Sequence, residues 1–135
     1  MQARAAMLAV AVMVASWYGP GFHGRTAANG STYDMHAMTA AHTSLPFGTV
    51  VRLWRNDPRV SVMVTITDRG PYCFEALSAG HLVPHPTRDI DLSRAAFKAL
   101  APLGTGVMKL RAETYLPGEP LPAPGPYVSP PGRGR

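Results

Sequence analysis

The 135 residues suffice for one domain with one hydrophobic core, and 46 % hydrophobic content lets that core form. The 14 prolines and 13 glycines favour a turn-rich β domain over a helical bundle, and the single cysteine, Cys73, excludes both an internal disulfide framework and a cysteine-based zinc site. The net charge of +5 suits an anionic polymer, but the chain has no Lys/Arg-rich run and no nucleic-acid motif, so nucleic acid is not the expected partner.

Met1–Ala15 carries one arginine and then an unbroken apolar run, as in the first two regions of a secretory signal peptide. The run is too short to span a bilayer, and it passes without a spacer into Ser16-Trp17-Tyr18-Gly19, so Ala11–Tyr18 also reads as a first strand. The expected division is an apolar N-terminal segment over residues 1–14, a folded domain over 15–116 and a Pro/Gly-rich disordered tail over 117–135. Gly19–Gly30 is loop, with Phe22, His23 and Tyr33 placing aromatic surface near it. A short strand beginning near Met38, a Leu-Pro-Phe-Gly turn and a strand over Thr49–Trp54 follow.

Asn56-Asp57-Pro58-Arg59 is a turn signal that predicts an antiparallel hairpin with the next strand. That strand, Val60–Thr67, is dense in β-branched residues and ends in Asp68-Arg69-Gly70-Pro71. A carboxylate at the end of a core strand sits where a rigid scaffold meets the rim, a place suited to chemistry; the same Asp can also simply cap the turn or pair with Arg69. Cys73–Thr87 shows no period and reads as a long loop. Asp89–Leu92 is a short strand, Ser93 an N-cap, Arg94–Ala101 a helix, and Gly106–Tyr115 the last strand. The expectation is a mostly-β fold, a closed six-stranded barrel with one short helix and a core of Val50, Leu53, Val62, Val64, Ile66, Val107 and Leu110.

Four stretches in this order, Ala15–Gly24 (ASWYGPGFHG), Thr39–Thr49 (TAAHTSLPFGT), Asp68–Pro71 (DRGP) and Ile90–Ser93 (IDLS), resemble the RlpA (rare lipoprotein A) family. The resemblance implies a double-psi β-barrel of the bacterial envelope and a lytic transglycosylase acting on peptidoglycan glycan strands, without a cofactor or metal. It places catalytic roles on Asp68 and His42, with Asp91 matching the acid of more distant double-psi barrels, and glycan contacts on Tyr18, Asn29, Tyr33 and Arg69. With the signal-like start, it implies export to the periplasm or cell envelope; the protein is expected to be a monomer that touches membrane only through its N-terminal segment, if that segment is uncleaved. No lipid-bearing cysteine stands near the start. Two departures stand out: Ser31 replaces an acidic residue usual after the Asn-Gly pair, and the stretch Cys73–Arg88 is lengthened.

Hydrolytic glycosidases need two carboxylates, whereas a lytic transglycosylase uses the sugar's own C6 hydroxyl in place of water, so one carboxyl can first give and later take a proton. Asp68 is the expected acid/base, provided that Arg69 points away from it, because a paired arginine would lower its pKa. Two other readings remain: a catalytically silent glycan-binding barrel, and a metal site from Asp34, His36 and His42. His23, His81 and His85 are expected to be loop histidines without a role.

Overall fold

The computed structural model describes residues 10–74 and 82–122. Among the described residues eight strands are formed: β1 (Ala11–Trp17), β2 (Thr39–His42), β3 (Val50–Trp54), β4 (Ser61–Asp68), β5 (Tyr72–Phe74), β6 (Leu82–Pro84), β7 (Ile90–Leu92) and β8 (Met108–Tyr115). One α-helix, α1 (Arg94–Leu100), stands among them. Six strands close a barrel in the order β1-β7-β2-β4-β3-β8, and β5 and β6 form a separate ribbon. This is the mostly-β, six-stranded barrel with one helix that the sequence implies.

Alternation along β4 drives the wall: Val62, Val64 and Ile66 point inward and are buried with Leu53, Ile90, Leu92, Leu110 and Phe97. Ser93 opens α1 by accepting the Ala96 N–H at 3.2 Å, while its own hydroxyl donates to Ala37 O at 2.6 Å. Both of its polar functions are satisfied, so a fully buried serine is tolerated. The β3–β4 hairpin turns on Asp57, whose Oδ1 accepts from the Arg59 N–H as in an Asx turn. Arg52 and Glu113, directly opposite each other on β3 and β8, form a half-buried ion pair at 3.1 Å.

β1 pairs with β8 from Ala11 onward, so the apolar N-terminal stretch runs into the first strand over Ala11–Trp17. Three expectations need correction. Val107 is 40 % exposed and precedes β8, and Val50 is only half-buried. Side chains two apart share a face, so Val107 cannot face inward with Leu110, nor Val50 with Leu53. Met108 and Ala112 accompany Leu110 instead, and Val51 accompanies Leu53. Last, the stretch read as one long loop contains β5 and β6, paired antiparallel from Tyr72↔Pro84 to Phe74↔Leu82. At the start of the expected tail the chain turns over residues 117–118, and Glu119 N donates to Leu116 O. Residues 1–9, His81 and residues 123–135 lie outside the described residues. Among the described residues no helix is long and apolar enough to cross a membrane.

The face assignments can be tested by truncation. Phe97→Ala, which empties a fully buried site, should lower stability by about 3–5 kcal/mol. Val107→Ala should change it by no more than about 0.5 kcal/mol. Urea unfolding followed by tryptophan fluorescence measures both, and comparable losses would place Val107 in the core.

Candidate active site

The site begins with a slip in register. β2 and β4 run parallel with Ala40 opposite Ile66, but the next residue, Ala41, stands opposite Asp68, so Thr67 is an extra residue on β4. Regular alternation would send residue 68 inward after Val62, Val64 and Ile66. The bulge reverses that and puts Asp68 on the outer face beside Ala41. On the other side of Ala41 stands Asp91 of β7, and beyond it Ser16 of β1. The row Ser16–Asp91–Ala41–Asp68 therefore crosses four neighbouring strands on one face, with the two carboxylates flanking an alanine that leaves room between them. Two strand spacings separate their Cα atoms by about 10 Å.

This row lines a cavity of about 530 Å³, which also touches Tyr18, Phe22, Tyr72, Leu82, His85 and Arg88. Asp68 is fixed through Oδ1, which accepts from the Ala28 and Arg69 backbone N–H groups, both at 2.9 Å. The Thr67 carbonyl at the bulge accepts from Asn29 N at 3.1 Å, so the 24–33 loop is clamped to the same irregularity. Gly70, at φ +138°, turns the chain away immediately afterwards, in a conformation that side chains disfavour. Burial raises the Asp91 pKa from 3.8 to about 6; the Ser16 hydroxyl, donating to Oδ1 at 3.2 Å, and the charge of Arg88 oppose that rise, and the charge of Asp68 adds to it. Asp91 is thus a carboxyl that carries a proton in mildly acidic solution, placed beside a second carboxyl.

Arg69 points away from the Asp68 carboxylate. Its Nη1 donates to Leu45 O at 2.8 Å and His42 O at 3.2 Å, and its guanidinium lies 3.9 Å from the centre of the Phe47 ring. Its charge therefore serves the 42–47 turn, although the residue lines the cavity. His42 does not line it: one residue beyond Ala41, it pairs with Ile90. Its Nδ1 accepts from the Ser44 and Leu45 N–H groups at 3.1 Å, which assigns the proton of the neutral ring to Nε2. Burial, with a smaller contribution from Arg69, lowers its pKa against the charge of Asp89, so the ring is neutral at pH 7.

The expected sugar contacts divide. Tyr18 lines the cavity, stacked on Tyr33 at 4.3 Å between ring centres, with Phe22 edge-on at 5.8 Å. Burial keeps its hydroxyl protonated. Tyr33 is 4 % exposed and accepts from Arg94 N, so it supports Tyr18 rather than meeting a ligand. Asn29 turns its Oδ1 back onto the Ser31 N–H and hydroxyl, and neither residue lines the cavity. Asp34 Oδ1 accepts from His36 N, and no three His, Cys, Asp or Glu side chains among the described residues are grouped to hold a metal ion. Ser16, Tyr72, His85 and Arg88 were missed as site residues. Ser16 was legible in principle, since alternation from Trp17 and Ala15 turns it to the face of Asp91; the other three depend on the ribbon.

The family model described as "Lytic transglycolase" matches residues 10–112. The chain is 43 % identical over 102 residues to an endolytic peptidoglycan transglycosylase RlpA of Pseudomonas aeruginosa (strain UCBPP-PA14), covering 76 % of this chain and 26 % of that protein. It is 39 % identical over 108 residues to the protein of that name from Neisseria meningitidis serogroup A, with 80 % and 40 % covered. A probable endolytic peptidoglycan transglycosylase RlpA of Synechocystis sp. is 46 % identical over 94 residues, with 70 % and 26 % covered. The chain therefore spans between about a quarter and two fifths of the length of these relatives. Among solved structures, Streptomyces papain inhibitor (SPI) superposes with a TM-score of 0.57 at 22 % identity over 78 % of this chain and 94 % of that one, a likeness of fold.

Asp91 also yields a stability prediction. Between the unfolded pKa of 3.8 and the folded value of about 6 the folded state binds more protons, so stability falls as pH rises through that window. Above it the full cost of the buried charge applies, about 3 kcal/mol, and below it none does. Asp91→Asn is neutral throughout and should exceed the parent by about 1–3 kcal/mol at pH 8 while matching it near pH 3.5. Urea unfolding at the two pH values measures this, and an equal difference at both would contradict the burial of the charge.

Proposed function

Because the chain belongs to the lytic transglycolase family, we propose that it cleaves the MurNAc–GlcNAc bonds of peptidoglycan glycan strands within their length and leaves 1,6-anhydromuramyl ends. The observation that carries this reading is the Asp68–Ala41–Asp91 row, which sets two carboxyls on one cavity wall with unlike surroundings. Asp91, protonated in mildly acidic solution, gives its proton to the glycosidic oxygen as the C1–O bond breaks. The C6 hydroxyl of the same muramyl residue then bonds to C1, and its proton passes to the Asp68 carboxylate. No water enters the product, and solvent carries the proton back to Asp91. Tyr18 and Phe22 offer an aromatic flank to the sugars. His42 and Arg69 act as positioning residues, holding the 42–47 turn beside the strand that separates the two acids.

The division of labour differs from the single acid/base expected at Asp68, and the difference rests on burial. The protein works in the cell envelope after export, as a monomer that touches membrane only through the N-terminal segment, if that segment is uncleaved. Ser31, folded back on Asn29 away from the cavity lining, leaves the two acids as they are.

Mass spectrometry of peptidoglycan digested with the purified chain tests the proposal. Anhydromuramyl products are expected, with either Asp91→Asn or Asp68→Asn lowering the rate by at least about 10²-fold. The alkaline limb of the parent's pH–rate profile should fall near pH 6 and move upward in Ser16→Ala, because the serine hydroxyl stabilises the ionised acid. Reducing-end products would mean hydrolysis. Binding to glycan without products would leave only a recognition module.

A further inference from the structure

The ribbon β5–β6 and the residues after it supply one wall of the cavity, opposite in character to the acidic row. Tyr72 and Leu82, 37 % and 62 % exposed, bring apolar surface to it, and His85 and Arg88 bring the polar groups. The two arginines of the lining are differently placed. Arg69 has its guanidinium committed to Leu45 O, His42 O and the Phe47 ring. Arg88 has no ion pair or hydrogen bond among the described residues, yet it faces the site closely enough that its charge acts on Asp91. His85 is anchored by its N–H to Pro71 O at 3.0 Å, and its Nδ1 accepts from Thr87 N at 3.2 Å, which leaves Nε2–H as a donor in the neutral ring.

An uncommitted guanidinium and a histidine lining the same cavity as exposed apolar surface fit a carboxylate on a short apolar arm. The planar fork can hold both carboxylate oxygens, while the apolar rim covers the arm. We propose that Arg88, assisted by His85, is a specificity residue that receives a carboxylate of the glycan substrate while Asp68 and Asp91 engage the scissile bond. This rests on the function proposed above and names the feature of the substrate that the ribbon selects. A carboxylate is available from two sources, the lactyl group of the muramyl residue or a stem peptide attached to it.

The test compares the parent chain with Arg88→Gln and Arg88→Lys on three glycans: peptide-free strands, the same strands with the lactyl carboxyl reduced to an alcohol, and peptide-bearing strands. Arg88 is exposed, so the variants should fold, and matching thermal transitions will check this. With the lactyl source, carboxyl reduction should cost the parent about ten- to a hundredfold in kcat/KM, mainly through KM, and Arg88→Gln should show a similar loss on intact strands with no further loss on reduced ones. Arg88→Lys should recover part of the loss, having the charge but not the fork. Sensitivity to Arg88→Gln on peptide-bearing strands alone assigns the carboxylate to the stem peptide. Equal losses on all three glycans mean that Arg88 acts only through the charge of Asp91, and they overturn the proposal, as does no loss at all. A parent chain that releases no product fails the functional reading instead; equilibrium binding of the same three glycans then decides the Arg88 proposal by the same pattern.

Discussion

Between Ala40 and Ala41 the parallel ladder of β2 and β4 skips Thr67, and that slip decides which side of the barrel wall Asp68 occupies. Without it, alternation would carry the carboxylate inward behind Ile66, where a charge has no partner and burial is very unfavourable. With it, Asp68 joins Ala41, Asp91 and Ser16 in one row on the outer face. The bulge also frees the Thr67 carbonyl, which Asn29 N takes, while Ala28 N bonds the carboxylate itself. The loop over residues 24–33 and the orientation of Asp68 therefore depend on each other, and Tyr33 at the end of that loop supports the Tyr18 ring from beneath.

The same row explains why the site is held under electrostatic tension. Asp91 is enclosed by strands on both sides and takes one side-chain hydrogen bond, from a serine that is itself buried. One neutral donor offsets only part of the loss of water, and Asp68 adds repulsion, so the proton is retained well above the ordinary carboxylate range. A barrel closed by six strands can tolerate this because its core on the opposite face is built from Val64, Ile66, Ile90, Leu92 and Phe97, all fully buried. The rigidity that the core confers on β4 and β7 is what keeps two carboxyls at a fixed separation without a direct bond between them.

Much of the fold could be read from local chemistry. The β-branched run of β4, the Asp57 turn and the Ser93 cap each act within a few residues of themselves, so the sequence displays them. Register does not work that way. Which of Val107 and Met108 enters the core depends on how β8 pairs with β1 and β3, contacts that no local pattern contains. The ribbon was invisible for a similar reason, since Tyr72–Phe74 and Leu82–Pro84 are too short to show a period and are strands only through each other. For the site, Asp68 was legible as a carboxyl at a strand end, and Asp91 as one within a short strand and a family-like motif. Their unequal environments were not, because burial of Asp91 follows from Ser16 and β1, 75 residues away. Asn29 and Tyr33 read as exposed polar and aromatic groups near a loop, and the structure turns both toward their own neighbours.

Direct observation of the two carboxyls tests this arrangement most closely. Carbon-13 NMR of chain labelled at the aspartate carboxyl carbons, followed from pH 3 to pH 9, reports the protonation of Asp91 without requiring substrate. A midpoint near 6 is expected, moving to lower pH in Asp68→Asn, because removal of the neighbouring charge leaves burial as the main force that retains the proton. A midpoint close to 3.8 that Asp68→Asn leaves unmoved would contradict the account, since it would mean that Asp91 is solvated and that the two carboxyls do not share one wall.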